Sequence, residues 1–241
     1  HDDGGNEEPS VLGDFLLIDQ EEAEGEEEDE QAAYSHHQAE GVEADRDDIE
    51  VDEMSSYLTE DLKTEIAHGI EVSRLAGMLA RELKLDSEFC HDIEVAGMLH
   101  DIGKLRASTY LYGGDDDTLN VEKMRYVRLH AGLGYEVVKA EGYSDRVCEM
   151  ILHHHENYDG TGYPDNLVGD AIPLGARVLR VCDVFVALTS DRPYRKAFDS
   201  KTAVELLIEE VRHFDMKVFL PFQSIVYDEI KRKELEEDTQ D

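Results

Sequence analysis

Apolar side chains recur at intervals of three and four residues from about residue 57 onward, and this spacing limits the fold more than any other feature. Leu58, Leu62, Ile66 and Ile70 form the first such series, and residues at this spacing share one face of an α-helix. No stretch shows the sustained alternation of apolar and polar residues that a half-buried strand requires. We therefore predict an all-α fold, mostly or wholly helical.

Further helices are predicted from the same periodicity together with capping residues. Residues 121–140 follow the helical pattern, but the glycines of HAGLG at 130–134 predict a break within them. The other predicted helix starts are Thr59, Asp86 or Ser87, Ser144, Pro173 and Ser200.

The first 55 residues form a different kind of polymer from the rest of the chain. They carry 22 Asp and Glu against one Arg, out of a formal net charge of -35 for the whole chain. Runs such as Glu26 to Glu30 cannot bury enough apolar surface to offset chain entropy. We predict a largely disordered segment or linker over 1–55, a folded domain over 56–230, and a charged C-terminal tail over 231–241.

The remaining domain is also acidic, and this excludes several classes of partner. Binding to duplex nucleic acid needs Lys and Arg that displace counterions, so no duplex is expected. No apolar run reaches the roughly 18 residues of a membrane span. The three cysteines, Cys90, Cys148 and Cys182, form no CxxC pair, so neither a disulfide framework nor a thiolate zinc site is indicated. We expect a protein of the reducing cytoplasm.

Four of the eleven histidines stand at or near predicted helix ends. Any one of them alone is more often a packing or capping residue than a metal ligand. Together they favour a metal site, because each segment also supplies a carboxylate or a tight turn. These four are His100, His130, His154 and His155.

The pair His100 and Asp101 is the strongest local signal. Adjacent helical residues diverge by about 100° and do not normally reach one point. Two metal ions remove this difficulty, since His100 can bind one ion while the two oxygens of Asp101 bridge both. Imidazole with carboxylate suits Fe, Mn or Zn. Lys104, just after a turn at Gly103, can then offer a cation to a phosphate oxygen.

The ordered motifs of the chain resemble the HD-GYP family of bacterial HD-domain phosphohydrolases. They are HDIGK (100–104), HHENYDGTGYP (154–164), ARVLRVCDVFVALTSDRPYRKA (176–197) and HFD (213–215). The resemblance implies an HD-domain helical bundle, a centre of two or three metal ions, and hydrolysis of cyclic di-GMP to pGpG or GMP by metal-activated hydroxide. It also implies an upstream sensor or receiver domain, and a homodimer as a further partner state.

The resemblance assigns roles to individual positions of this chain. Asp101 and Lys104 are implied to be catalytic, with Asp101 also bridging two ions, iron first and manganese second. Tyr163, Arg192 and Arg195 are implied to bind the cyclic dinucleotide. The implied metal ligands are His68, His100, Asp101, His130, His154, His155 and Asp183.

The residues around the HH pair are predicted to support it. His153 is expected to pack behind the site rather than bind a metal. Glu156 is expected to accept a hydrogen bond that fixes a ring tautomer, or else to cap the loop.

Two positions depart from the family pattern. Val186 stands where the family often has an Asp. That Asp is not expected to be a metal ligand, but its loss can alter a substrate contact. Some members bind a third ion through a glutamate four residues before the first histidine. That position is Thr64 here, and Glu65 is expected to point elsewhere, so two ions are predicted.

Other functions remain open at this stage. One is a catalytically degenerate HD-GYP module that binds a cyclic dinucleotide or a protein without turnover. Another is an HD phosphohydrolase for mononucleotides. The GYP loop does not choose between cyclic di-GMP and a mixed cyclic GMP-AMP.

Overall fold

The computed structural model describes residues 51–105, 121–191 and 195–238. Its secondary structure is helical, with α-helices, a helical turn at 102–105 and two short 3-10 turns, so the all-α prediction is confirmed. The predicted disorder of residues 1–50 lies outside the described residues. The main helices are α1 (Val51–Glu82), α2 (Ser87–Leu99), α3 (Val121–Ala140), α4 (Asp145–Leu152), α5 (Leu174–Leu188), α6 (Ser200–Glu209) and α7 (Met216–Asp238).

Local capping explains where several helices begin. The side chain of Asp86 accepts a hydrogen bond from the backbone N–H of Phe89 and caps α2, and Ser144 caps α4 in the same way. Helix α6 is capped by Asp199 rather than by the predicted Ser200, because the carboxylate accepts from two backbone amides of the first turn. Helix α1 begins at Val51, earlier than predicted, and α7 continues through Asp238 into the predicted tail.

Helix α5 lies at the centre of the domain and is buried along most of its length. Helices α1, α4 and α7 pack against it, and α2 packs between α1 and α4. Side chains such as Leu79, Ile151, Leu179 and Phe222 are fully buried in this core, and each contributes about 1.5–3 kcal/mol of hydrophobic stabilisation. The central position of α5 places Asp183 inside the bundle.

The predicted break in α3 is wrong, because the helix runs unbroken from Val121 to Ala140. It is the glycine of the neighbouring turn that close packing against α3 requires. A Cβ at Gly103, in the turn 102–105, would collide with the backbone oxygen of His130 and would lie 2.6 Å from the backbone nitrogen of Gly134. The turn that follows Asp101 is therefore pressed directly onto the backbone of α3.

Two expectations from composition can be compared with the structure. The three cysteines are buried and free. Among the described helices, none is both long and apolar enough to cross a membrane.

Candidate metal centre

The seven predicted ligands converge although they come from separate segments. His68 lies in α1, His130 in α3 and Asp183 in α5. His100 and Asp101 follow the end of α2, and His154 and His155 follow the end of α4. Two groups of ligand atoms form within 4.8 Å, and both include Asp101. The groups are His68 with His100 and Asp101, and Asp101 with His130, His154 and His155.

The first group is built around two carboxylates. Asp183 Oδ1 lies 2.8 Å from His68 Nε2 and 3.5 Å from His100 Nε2. His100 Nδ1 lies 2.8 Å from the carbonyl of Gly97 and donates to it, which leaves the lone pair on Nε2. That Nε2 is buried, faces Asp101 Oδ2 at 3.3 Å, and makes no hydrogen bond to any described residue. A buried ring nitrogen that faces two carboxylates fits a metal site, because an ion placed between them would be bound by the neutral ring and by the carboxylate oxygens.

The second group brings three ring nitrogens together. His130 Nε2 lies 3.2 Å from His154 Nε2, 3.1 Å from His155 Nε2 and 3.3 Å from Asp101 Oδ1. His154 Nδ1 donates to the carbonyl of Ile151 at 2.6 Å, so its Nε2 also carries a lone pair. Ring nitrogens in such close array, next to a carboxylate, are a donor set suited to a divalent cation. The cluster as a whole fits metal binding.

The electrostatics differ between the two groups. Burial alone would lower the pKa of His100, but Asp101 and Asp183 hold it well above its ordinary value. Burial alone would raise the pKa of both aspartates, but the neighbouring cations and histidines hold them well below. Burial and repulsion from neighbouring rings lower the pKa of His154 and His155 well below 6.5. His154 and His155 are therefore held as neutral rings, which is the charge state that a metal-binding histidine needs.

Lys104 and Glu65 lie beside the shared carboxylate. Lys104 Nζ is 2.6 Å from Asp101 Oδ2 and 3.4 Å from Glu65 Oε2. Despite burial, these carboxylates raise the pKa of the Lys104 ammonium. The expectation that Glu65 points elsewhere on α1 is wrong, because it lies three residues before His68 and shares its face. The predicted number of two ions stays a prediction.

The other residues of the HHHE stretch hold the loop. His153 is buried and its Nε2 lies 3.0 Å from Asp165 Oδ2, and it belongs to neither ligand group. Glu156 accepts hydrogen bonds from the backbone amides of Asp165 and Leu167, at 2.7 and 3.0 Å. Of the two alternatives for Glu156, the structure shows loop capping rather than contact with a ligand ring.

The three predicted substrate contacts differ in where the structure places them. The Tyr163 ring is 9% exposed and stacks on His155, with ring centroids 4.8 Å apart. The Arg195 guanidinium donates to the carbonyls of Ala187 and Leu188 at the end of α5 and lies over the Phe198 ring. That geometry does not support the predicted phosphate contact of Arg195. Arg192 lies outside the described residues.

Val186, which stands where the family often has Asp, is 5% exposed and belongs to the hydrophobic core. Its side chain is not one of the residues gathered at the metal centre.

Sequence reasoning missed two buried polar residues behind the site. Arg180 is 3% exposed and donates to Asn157 Oδ1 at 3.0 Å, and Arg180 Nη1 lies 3.2 Å from His155 Nδ1. Asn157 is also buried. The position of Arg180, three residues before Asp183 on one helix face, was the signal that could have found it.

Comparison with known proteins agrees with this site. A protein-family model described as HD domain matches residues 35–218. The chain is 42% identical over 142 residues to the cyclic di-GMP phosphodiesterase response regulator RpfG of Xanthomonas campestris, covering 56% of this chain and 36% of that protein. It is 38% identical over 160 residues to a cyclic di-GMP phosphodiesterase of Pseudomonas aeruginosa, covering 66% of this chain and 38% of that protein.

A solved structure with a similar fold is Bd1817, a HDG"Y"P protein from Bdellovibrio bacteriovorus. The TM-score is 0.55 at 20% identity, covering 68% of this chain and 53% of that one. This likeness supports the helical fold alone. The chain spans little more than a third of the length of the two curated relatives. The family match, the relatives and the motifs together show that the chain belongs to the HD-domain family, in its HD-GYP branch.

Proposed function

We propose that this chain is a metal-dependent phosphodiesterase that hydrolyses cyclic di-GMP to pGpG, to GMP or to both. The observation that carries the proposal is the pair of ligand groups that share Asp101. A carboxylate with two oxygens can bridge two ions, and two ions about 3.5–4 Å apart stabilise both oxygens of a phosphoryl displacement. We therefore propose two divalent ions, iron first and manganese second.

When bound, such ions supply Lewis acidity, which activates water near neutral pH and neutralises charge on the phosphodiester. The residues of this chain prepare the centre. The carbonyls of Gly97 and Ile151 fix the tautomers of His100 and His154, so that each directs an Nε2 lone pair into the centre. Such hydrogen bonds orient ligands and raise their basicity.

Lys104 is proposed to stabilise the phosphate during hydrolysis. Its amine is held 2.6 Å from Asp101, so it stays close to the bridge, yet 37% of its side chain is exposed and reachable by substrate. Hydrolysis adds a water oxygen to phosphorus and breaks one phosphoester bond, and the leaving oxygen takes up a proton. An ammonium that remains charged can offset the negative charge on the phosphoryl oxygens.

The substrate and the setting of the domain are inferred from relatives. Two curated relatives carry cyclic di-GMP phosphodiesterase in their names. Tyr163 and Arg192 remain predicted substrate contacts. A cytoplasmic location, an upstream sensor or receiver domain and a homodimer also remain predictions.

The proposal is tested by anaerobic assay of the metal-free chain reloaded with Fe²⁺ or Mn²⁺. Cyclic di-GMP and mixed cyclic GMP-AMP serve as substrates, and bound metal is measured by elemental analysis. We expect turnover of cyclic di-GMP with two ions per chain. His100→Ala and Asp101→Ala are expected to abolish it, because each removes a ligand atom from the centre.

His91→Ala is the matched control, since His91 lies on α2, the helix that ends just before His100, but is exposed. Binding of cyclic di-GMP without hydrolysis under every metal condition would instead support a degenerate binding module. Preferential turnover of cyclic GMP-AMP would keep the mechanism and change the substrate.

A further inference from the structure

Arg180 is a buried cation that the reaction described above does not use. It lies on α5 three residues before Asp183 and is 3% exposed. Its Nη1 lies 3.2 Å from His155 Nδ1 and its Nε lies 3.0 Å from Asn157 Oδ1. Its guanidinium thus contacts the ring of a predicted metal ligand from behind.

The chemistry of this contact fixes the state of the His155 ring. A guanidinium has only N–H donors and no acceptor. His155 Nδ1 must therefore accept from Arg180, and the single N–H of the neutral ring must lie on Nε2. That Nε2 is the atom directed at the centre, 3.1 Å from His130 Nε2.

His100 and His154 have the opposite arrangement. Their Nδ1 atoms donate to the carbonyls of Gly97 and Ile151, so that in the neutral ring the lone pair lies on Nε2. A ligating histidine normally donates its other N–H to an acceptor, and this contact makes it a better ligand. His155 faces a donor instead, so a neutral His155 cannot bind an ion through Nε2 while it keeps its contact with Arg180.

We infer that Arg180 is a positioning residue that makes His155 the weak ligand of the centre. The ion held by His130, His154 and His155 would then be bound more weakly than the ion held by His68, His100 and Asp183. This inference rests on the proposed two-ion centre.

The second contact of Arg180 links the same ring to the glycine-rich turn. Asn157 accepts from Arg180 and donates through Nδ2 to Thr161 Oγ1 at 3.1 Å. Thr161 in turn donates to Asp159 Oδ1. Release of His155 by Arg180 would therefore disturb a chain of hydrogen bonds that reaches into the loop.

The inference is tested by titrating the metal-free protein with Mn²⁺ and measuring free Mn²⁺ by electron paramagnetic resonance. The wild-type protein should show two binding steps of different affinity. Arg180→Gln replaces the donor with a side chain that can accept from His155 Nδ1–H. It is expected to tighten the weaker step by about 10-fold or more, the lower end of the range for groups that contact ligands.

Two controls separate this effect from loss of packing. Arg180→Lys keeps a cation that can only donate, so the two Mn²⁺-binding steps should still differ in affinity. Arg177→Gln removes an arginine of the same helix that pairs with Asp170 and Asp215, and it should change neither step. Equal affinities in the wild type, or a weaker second step in Arg180→Gln, would overturn the inference. Absence of any Mn²⁺ binding would overturn the two-ion centre itself.

A measurement on the wild-type protein avoids the risk that an Arg180 variant does not fold. Long-range ¹⁵N–¹H correlation spectra distinguish the two tautomers of each histidine ring. In the metal-free protein we expect His155 to carry its proton on Nε2 and His154 to carry its proton on Nδ1. A proton on Nδ1 of His155 would overturn the inference whatever the variants do.

Discussion

The close contact between the turn 102–105 and α3 predicts that Gly103→Ala destabilises the protein. An Ala is about 1 kcal/mol more favourable than Gly in an open helical position. At Gly103, however, the new Cβ would collide with the backbone oxygen of His130 and lie 2.6 Å from the Gly134 nitrogen. Backbone atoms of a packed helix cannot rotate away, so the turn must move, and overpacking of this kind costs about 1–3 kcal/mol.

Gly132→Ala is the matched control on α3, because a Cβ there meets nothing within 4 Å. That variant should gain up to about 1 kcal/mol of stability from helix propensity. The two variants should therefore differ by about 1–4 kcal/mol in the free energy of unfolding, given the overpacking and propensity terms. For a domain of this size the melting temperatures should differ by about 5–10 °C.

Urea unfolding of the metal-free variants measures this difference, and Mn²⁺ titration reports its effect on the centre. Movement of the turn shifts Asp101 relative to His130, so Gly103→Ala should also bind Mn²⁺ more weakly than Gly132→Ala. Equal stability of the two variants would refute the argument that backbone contact fixes this turn.

Three further predictions follow from the site. Glu156→Gln replaces one of the two carboxylate oxygens that accept from the backbone amides of Asp165 and Leu167. Hydrogen exchange at these loop amides should become faster, while the melting temperature changes little. Unchanged exchange would contradict the capping role of Glu156. The metal-free protein should lose stability between pH 7.5 and 5.5 in urea unfolding. The pKa values of His154 and His155 are lowered from 6.5, so the unfolded chain takes up protons that these two folded rings do not, whereas the raised pKa of the single ring of His100 acts in the opposite direction. A rise in stability as the pH falls over that range would refute the lowered pKa values of His154 and His155. Tyr163→Phe should preserve Mn²⁺ affinity and Tyr163→Leu should weaken it, because only Phe keeps the ring that stacks on the ligand.

Helix ends could be predicted where the determinant is local. Asp86 and Ser144 cap their helices through their own side chains, and such contacts are visible as residue types in a sequence. The break predicted in α3 is wrong because glycines do not by themselves end a helix. The backbone of α3 at His130 and Gly134 packs closely against Gly103 of the turn, and that contact exists only once the two segments are packed.

The seven residues that meet at the candidate metal centre were predicted from motifs, but the groups around them were not. Glu65 and Arg180 share helix faces with His68 and Asp183, yet spacing alone does not say which face looks into the bundle. Likewise, the residues next to Arg195 in the sequence do not reveal that it donates to carbonyls at the end of α5 rather than to a substrate phosphate. The direction in which a side chain points and the groups to which it is already hydrogen-bonded depend on the tertiary structure.

The three adjacent histidines after α4 show how the end of one helix assigns different roles. The last carbonyls of a helix can accept from side chains. The Ile151 carbonyl accepts from His154 Nδ1, and the Glu149 carbonyl, which also accepts the backbone N–H of His153, accepts from His153 Nδ1. His154 thereby keeps its proton on Nδ1 and its Nε2 faces the metal centre, whereas both ring nitrogens of His153 face acceptors, the Glu149 carbonyl and Asp165. His155 Nδ1 instead accepts a hydrogen bond from Arg180 of α5. The ring farthest from the helix is therefore the one whose tautomer a different helix controls, which is why its binding strength can differ from that of its neighbour.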